Sequence, residues 1–369
     1  MNFCLNIPVK IFGGENCVLN NPEQFRLGKK AFIVTGRRSA KVSGALDDVL
    51  SVLSDSGIEH EIYAEVTENP NVTACFEAGL RCKAAGCDII IGIGGGSALD
   101  AAKSIAAFAK DEYQEPCDIF DPAKKLHSSL PIILIPTTAG TGSEANNYSV
   151  LTLPDGLKKK TFTHKDSWAR AAFLDPKYTL TLSKEYTFST ALDAFHHALE
   201  SFLSPRSDII SEMCALYAAK NIWDVLSQLP NEFSYQMKEE LLYASCAAGL
   251  AISITGTGFP HPLGYSLTLI DGIPHGKACA VFAKDYIEYN SKAEIGAERI
   301  ERFCAELGIK KKVLGELLSG LADVDIKMTN EQIKEHVDLI KDAKNYSNSP
   351  YVLGYDEMIS IYRSHFGRK

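Results

Sequence analysis

Asp193 and His197 stand four residues apart in Asp193-Ala194-Phe195-His196-His197-Ala198-Leu199-Glu200, and His261 and His275 follow in Pro260-His261-Pro262 and Pro274-His275-Gly276. Residues i and i+4 share one helix face, so Asp193 and His197 point the same way while His196 is turned about 100° aside. One carboxylate oxygen and three neutral imidazole nitrogens suit Fe(II), Zn(II) or a similar first-row ion. With a coordination position left open, such an ion is a Lewis acid that polarises a carbonyl for hydride attack and stabilises the alkoxide in reverse. Glu200, a further turn along the same face, either orients a ligand or closes a salt bridge. His60, His127, His164, His336 and His365 have no comparable context.

Upstream lie two glycine loops. Gly94-Gly95-Gly96-Ser97-Ala98-Leu99-Asp100 follows the apolar run Ile89–Ile93 and opens an Ala-rich stretch. Its backbone N–H groups and the positive helix end would converge on an anion such as a dinucleotide pyrophosphate. The G-x-G-x-x-G fingerprint fails, because Ser97 holds the sixth place counted from Gly92. Pro136-Thr137-Thr138-Ala139-Gly140-Thr141-Gly142-Ser143-Glu144 follows the next buried run and carries hydroxyls for phosphate or ribose. The first apolar run ends in Val34-Thr35-Gly36-Arg37-Arg38-Ser39-Ala40-Lys41. Where an acidic side chain would accept from a ribose 2′-OH, Gly36 leaves space, and Arg37, Arg38, Ser39 or Lys41 can receive a 2′-phosphate. NADP(H) is therefore expected in preference to NAD(H).

These residues need two kinds of scaffold. To about residue 180, strands at 31–34, 89–93 and 132–135 alternate with helices at 41–56, 72–85 and 97–110, which predicts a parallel sheet with ligands at its carboxyl edge. Beyond Asp175-Pro176 the strand signals stop, and helices are expected at 190–203, 208–228, 235–254, 283–292, 295–307, 312–320, 329–344 and 355–366. His261 and His275 fall in loop or helix-start settings. The expected division is 1–182, an α/β dinucleotide-binding domain, and 183–369, an all-helical metal-binding domain. At 369 residues two cores are in order. A net charge of −8 with the signs interspersed argues against nucleic acid or an anionic membrane as partner. No apolar stretch is long enough to span a bilayer. The ten cysteines include no CxxC pair and the N-terminus lacks a signal-peptide pattern, so a cytoplasmic protein with reduced thiols is expected.

Taken together, Gly94-Gly95-Gly96-Ser97-x-x-Asp100, the Pro136–Glu144 loop, Asp193-x-x-x-His197-Ala198-x-Glu200, His261 and Pro274-His275-Gly276 resemble the iron-containing (group III) alcohol dehydrogenase family over nearly the whole chain. The resemblance implies a dehydroquinate synthase-like architecture: an N-terminal α/β nucleotide domain, an all-α metal domain, a cofactor in the cleft between them, and a homodimer. It implies Asp193, His197, His261 and His275 as ligands of Fe2+ or Zn2+. Gly95, Gly96, Ser97, Asp100, Thr137, Thr138, Lys159 and Asn69, together with Gly36 and Ser39, are then the expected cofactor contacts. The chain departs from the family at two places. The position four after the third ligand, commonly a second His thought to relay protons, is Tyr265, whose hydroxyl could still serve or whose ring could pack in the core. The acidic residue usual at the end of the first strand is Gly36. The expected activity is hydride transfer between NADP(H) and a small alcohol or aldehyde. Its rivals are a metal-dependent lyase or cyclase of the dehydroquinate synthase type and a non-catalytic metal-bound scaffold.

Overall fold

The structure is a computed structural model that describes residues 5–124 and 128–368, so Cys4 and His127 lie outside the described residues. Strands and helices follow the order β1 (Lys10–Gly13), β2 (Lys30–Gly36), α1 (Ser39–Val42), α2 (Ala45–Asp55), β3 (Glu59–Val66), α3 (Val72–Ala84), β4 (Ile89–Gly94), α4 (Gly96–Lys110), β5 (Ile132–Pro136), β6 (Tyr148–Thr152), β7 (Lys159–Thr163) and β8 (Ala171–Leu174). Ten α-helices follow among the described residues: α5 (Lys184–Leu203), α6 (Ile209–Leu226), α7 (Tyr235–Thr255), α8 (Pro260–Ile270), α9 (His275–Ala280), α10 (Ala283–Asn290), α11 (Glu294–Leu307), α12 (Lys311–Ala322), α13 (Asn330–Ile340) and α14 (Tyr355–Phe366).

The N-terminal domain is α/β and the C-terminal domain is helical. Six strands form one sheet in the order β1-β8-β5-β4-β2-β3, every pairing parallel. The three expected strands are β2, β4 and β5, at the centre of that sheet. Ile89, Ile90, Ile91 and Ile93 are wholly buried, as strands covered on both faces require. The edge strands β1 and β3, and β8 beside β1, carry weaker patterns, and the β6–β7 antiparallel hairpin was not expected. Lys159 and Lys160 belong to that hairpin.

The chain forms two compact units. Among the described residues, the first takes 5–183 together with Glu232–Gly249, and the second takes Lys184–Asn231 and 250–368. Part of α7 therefore packs with the sheet. Within that unit, Lys238 Nζ donates to the carbonyls of Thr179 and Leu182, both at 2.9 Å, which satisfies a mostly buried ammonium with backbone acceptors. Among the described residues, no single helix is long and apolar enough to cross a membrane.

The sheet unit also buries charge. Lys103 on α4 is fully enclosed and donates to the carbonyls of Ser143 and Tyr148, each at 2.6 Å, and to Ser143 Oγ at 2.7 Å. Burial pulls its pKa down to about 8, against the pull of Asp100 and Glu144. Glu144 is buried as well, and burial pushes its pKa up to about 7, only partly offset by its own backbone N–H and by Lys103. A carboxyl with a raised folded pKa holds a proton that the unfolded chain has released. Its stabilising contribution is thus complete below the ordinary value of 4.5 and disappears as pH rises through about 7. Glu144→Gln should flatten this part of the profile: thermal melts across that window should show a smaller fall in Tm than in the parent chain. Identical slopes for the two proteins would contradict it.

Candidate functional site

All four expected ligands lie in the second unit, on three helices. Asp193 and His197 sit mid-way along α5, His261 is the second residue of α8, and His275 is the first residue of α9. Pro260 at the start of α8 suits a first helical turn, where its missing N–H costs nothing. The loop or helix-start reading of the two later histidines thus resolves to helix starts.

The three imidazoles surround one oxygen. Asp193 Oδ1 lies 3.4 Å from His261 Nε2, 3.8 Å from His197 Nε2 and 4.0 Å from His275 Nε2. The His197 and His261 rings stack at 4.6 Å, and His275 meets His261 edge-on at 5.4 Å. Burial would raise the Asp193 pKa, but the three histidines hold it well below the usual carboxylate range. Burial would lower that of His261, yet Glu200 and Asp193 outweigh it and push it up to about 10. Cys279 brings its sulfur into the same space: one donor atom each from Asp193, His261, His275 and Cys279 lie within 4.8 Å of one another.

Supporting contacts fix the rings. Glu200, fully buried, accepts from His261 Nδ1 at 2.8 Å and from the Gly258 N–H at 2.6 Å. Glu200 is therefore the group that orients a ligand. With Nδ1–H committed to that carboxylate, Nε2 is the ring nitrogen of His261 that faces Asp193. Thr268 Oγ1 lies 3.3 Å from His275 Nδ1, and the Tyr265 ring stacks on His275 at 5.8 Å and 22°. His196 is turned aside, its Nδ1 against the Leu192 carbonyl at 2.8 Å, and burial lowers its pKa. The helix approach itself depends on Gly276: a Cβ there would lie 1.8 Å from the Ser189 carbonyl oxygen and 2.9 Å from the Asp193 nitrogen of α5. Only glycine lets α9 come this close.

A metal fits this place. Asp193 Oδ1 and His261 Nε2 are buried and make no hydrogen bond, a costly condition that a cation between them relieves.

The expected nucleotide contacts gather in the first unit. Gly95 caps α4 without a side-chain hydrogen bond, leaving first-turn N–H groups for a ligand. A Cβ on Gly96 would strike Thr141 Cγ2 at 2.4 Å, so the two glycine loops interlock at that point. The Thr137 N–H donates to the Gly94 carbonyl at 2.9 Å, while its buried Oγ1 makes no hydrogen bond. Thr138 packs over Gly95. Asn69 holds a left-handed φ of 54°, and its N–H donates to Ser97 Oγ at 3.2 Å. These features suit a phosphate-bearing ligand. Asp100 has another task. Its Oδ1 accepts from Ser143 Oγ at 2.5 Å and its Oδ2 from the Val150 N–H at 2.9 Å, so it ties the loops together. Lys159 lies near enough to lower the Asp100 pKa, which burial raises. Gly36 ends β2, and a Cβ there would meet the Val66 carbonyl oxygen at 3.5 Å and Ser39 Oγ at 3.8 Å, ordinary contact distances.

Two family models match the chain: the iron-containing alcohol dehydrogenase model over residues 8–176 and the C-terminal model of the Fe-containing alcohol dehydrogenase family over 187–366. The chain belongs to the iron-containing alcohol dehydrogenase family. Iron and a nicotinamide cofactor go with that membership, and the chemistry of the family is alcohol oxidoreduction. A crystal structure of an iron-containing alcohol dehydrogenase from Thermotoga maritima matches with a TM-score of 0.91 at 34% identity, covering 99% of both chains. A sulfoacetaldehyde reductase from Bilophila wadsworthia is 36% identical over 265 residues, 71% of this chain and 68% of that one. An NADPH-dependent butanol dehydrogenase from Clostridium saccharobutylicum is 29% identical over 358 residues, 91% of each.

Sequence reasoning missed Cys279, Gly276, Lys103 and the ring stacking of Tyr265. Cys279 had a legible signal, since it stands at i+4 from His275. Glu200→Gln keeps the volume and the bond from Gly258 while removing the charge facing His261. Metal affinity should fall about ten- to hundredfold by chelator competition; unchanged affinity would remove Glu200 from the site.

Proposed function

We propose that this family member is an NADP(H)-dependent alcohol dehydrogenase acting as a reductase of small aldehydes, with Asp193, His197, His261 and His275 holding Fe2+, or Zn2+ in its place. The observation that carries the reading is the ring of three imidazole nitrogens, 3.4 to 4.0 Å from Asp193 Oδ1, in a buried pocket. When bound, the ion supplies Lewis acidity toward a carbonyl oxygen and the nicotinamide supplies the hydride.

The chain's own residues orient and insulate. Asp193 neutralises part of the cation's charge; Glu200 fixes the tautomer and plane of His261; Tyr265 and Thr268 fix His275 from a face and from Nδ1. Preorganised groups of this kind need no rearrangement as charge develops on the substrate oxygen. The proton exchanges with water, a ribose hydroxyl of the cofactor or Tyr265. Gly95, Gly96, Ser97, Thr137 and Thr138 hold the nucleotide phosphates, with Asn69 and Lys159 beside them.

Preference for the 2′-phosphate follows from Gly36 and its exposed neighbours Arg37, Arg38, Ser39 and Lys41. A homodimer in the cytoplasm completes the proposal. Against the lyase or cyclase reading stands the stretch 250–276, which has no Lys or Arg to bind a phosphorylated polyhydroxylated substrate. Net consumption of NADPH with an aldehyde separates the two, and separates an enzyme from a scaffold.

His261→Ala should lose the bound metal and turnover together, read by elemental analysis and an aldehyde-dependent NADPH assay. Full activity in a metal-free variant would refute the assignment. Gly36→Asp should place a carboxylate where the 2′-phosphate is received and lower kcat/KM for NADPH relative to NADH by at least about tenfold, the effect of ~1.4 kcal/mol. An unchanged ratio would move cofactor selection elsewhere.

A further inference from the structure

We propose that Cys279 is a ligand of the metal centre, so that the ion of this chain is held by a donor set containing sulfur. The proposal rests on the metal-site reading above and deepens it. Cys279 is wholly buried on α9, one helical turn beyond His275 and on the same face. Its Sγ lies 3.8 Å from His275 Nε2, and it belongs to the four-atom cluster with Asp193, His261 and His275.

Spacing identifies what such a cluster holds. Metal–donor bonds of about 2.0–2.3 Å set neighbouring donors of one ion roughly 3–4 Å apart. The separations here are 3.4 Å for Asp193–His261, 4.0 Å for Asp193–His275 and 3.8 Å for His275–Cys279, and every pair among these four residues has donor atoms within 4.8 Å. A second observation points into the same volume: Asp193 Oδ1 and His261 Nε2 are buried acceptor and ring nitrogen without hydrogen bonds. Two helices thus each offer a pair at i and i+4, Asp193 with His197 on α5 and His275 with Cys279 on α9, and His261 of α8 closes the set. On binding, the Sγ–H bond breaks, its electron pair goes to the ion and its proton to water; nothing is oxidised or reduced. A thiolate is a softer donor than any in the O/N set.

The test is X-ray absorption at the zinc edge of the full-length, zinc-loaded protein, with metal content measured in the same sample. A sulfur shell at about 2.3 Å beside nitrogen and oxygen at about 2.0–2.2 Å is expected. Cys279→Ser should lose the sulfur shell while keeping the lighter one. With cobalt in place of zinc, the parent protein should show a sulfur-to-metal charge-transfer band in the near ultraviolet that Cys279→Ser lacks. Bound zinc with nitrogen and oxygen neighbours alone, or a sulfur shell that survives in Cys279→Ser, overturns the proposal and leaves the metal site standing. Failure to take up any ion overturns both. Should Cys279→Ser not fold, the spectrum of the parent protein decides.

Discussion

The second unit is organised around an unfavourable placement: a carboxylate buried with three imidazoles around one of its oxygens. Taking such groups out of water costs several kcal/mol per ion, by order of magnitude, unless charge and hydrogen bonds are matched. Asp193 meets its charge partners at 3.4 to 4.0 Å, distances too long for ordinary hydrogen bonds and suited to a cation between them. The surrounding helices serve that arrangement. α5 supplies two donors and Glu200, α8 enters with His261 on its first turn, and α9 approaches α5 so closely at Gly276 that a methyl group would overlap the Ser189 carbonyl. The ligand set is thus held by backbone geometry as much as by the side chains that form it.

The nucleotide loops show the same economy in a different chemistry. The phosphate-binding candidates are backbone groups, which must be positioned without occupying the space a ligand needs. Asp100 and Lys103 do this from beneath, through Ser143, Tyr148 and Val150, and so bind β6 and the second glycine loop to α4. An acidic residue in a glycine loop invites the reading of a ligand contact; here the carboxylate also accepts from hydroxyl and amide donors of its own fold.

Central strands and the α5 ligand pair were legible because each follows a local rule: apolar β-branched runs for strands buried on both faces, and the i, i+4 face for Asp193 and His197. The short helices α8 and α9 were less legible, since Pro260, Pro262, Gly264, Gly272 and Pro274 are the residues that ordinarily punctuate loops. Proline is accepted in the first turn, and glycine here serves interhelical approach, which no local pattern reveals. The β6–β7 hairpin was hidden by Lys158-Lys159-Lys160, whose charge reads as surface whether or not the backbone is paired. The return of Glu232–Gly249 to the sheet unit depends on Lys238 finding the carbonyls of Thr179 and Leu182, a contact across 56 to 59 residues of chain.

Tyr265 shows how a departure from a family pattern is absorbed. A histidine at this position would bring a ring nitrogen able to carry a proton; tyrosine brings a larger ring and a hydroxyl. The ring lies nearly parallel to His275 and 5.8 Å from it, on a helix whose next turn places Thr268 against His275 Nδ1. Both contacts restrict the His275 imidazole, the most exposed of the donor rings. The other two rings are held by burial and by stacking on each other, and His261 also by Glu200. Loss of the second histidine therefore removes a titratable neighbour while adding a wall beside the one ligand that burial alone does not hold.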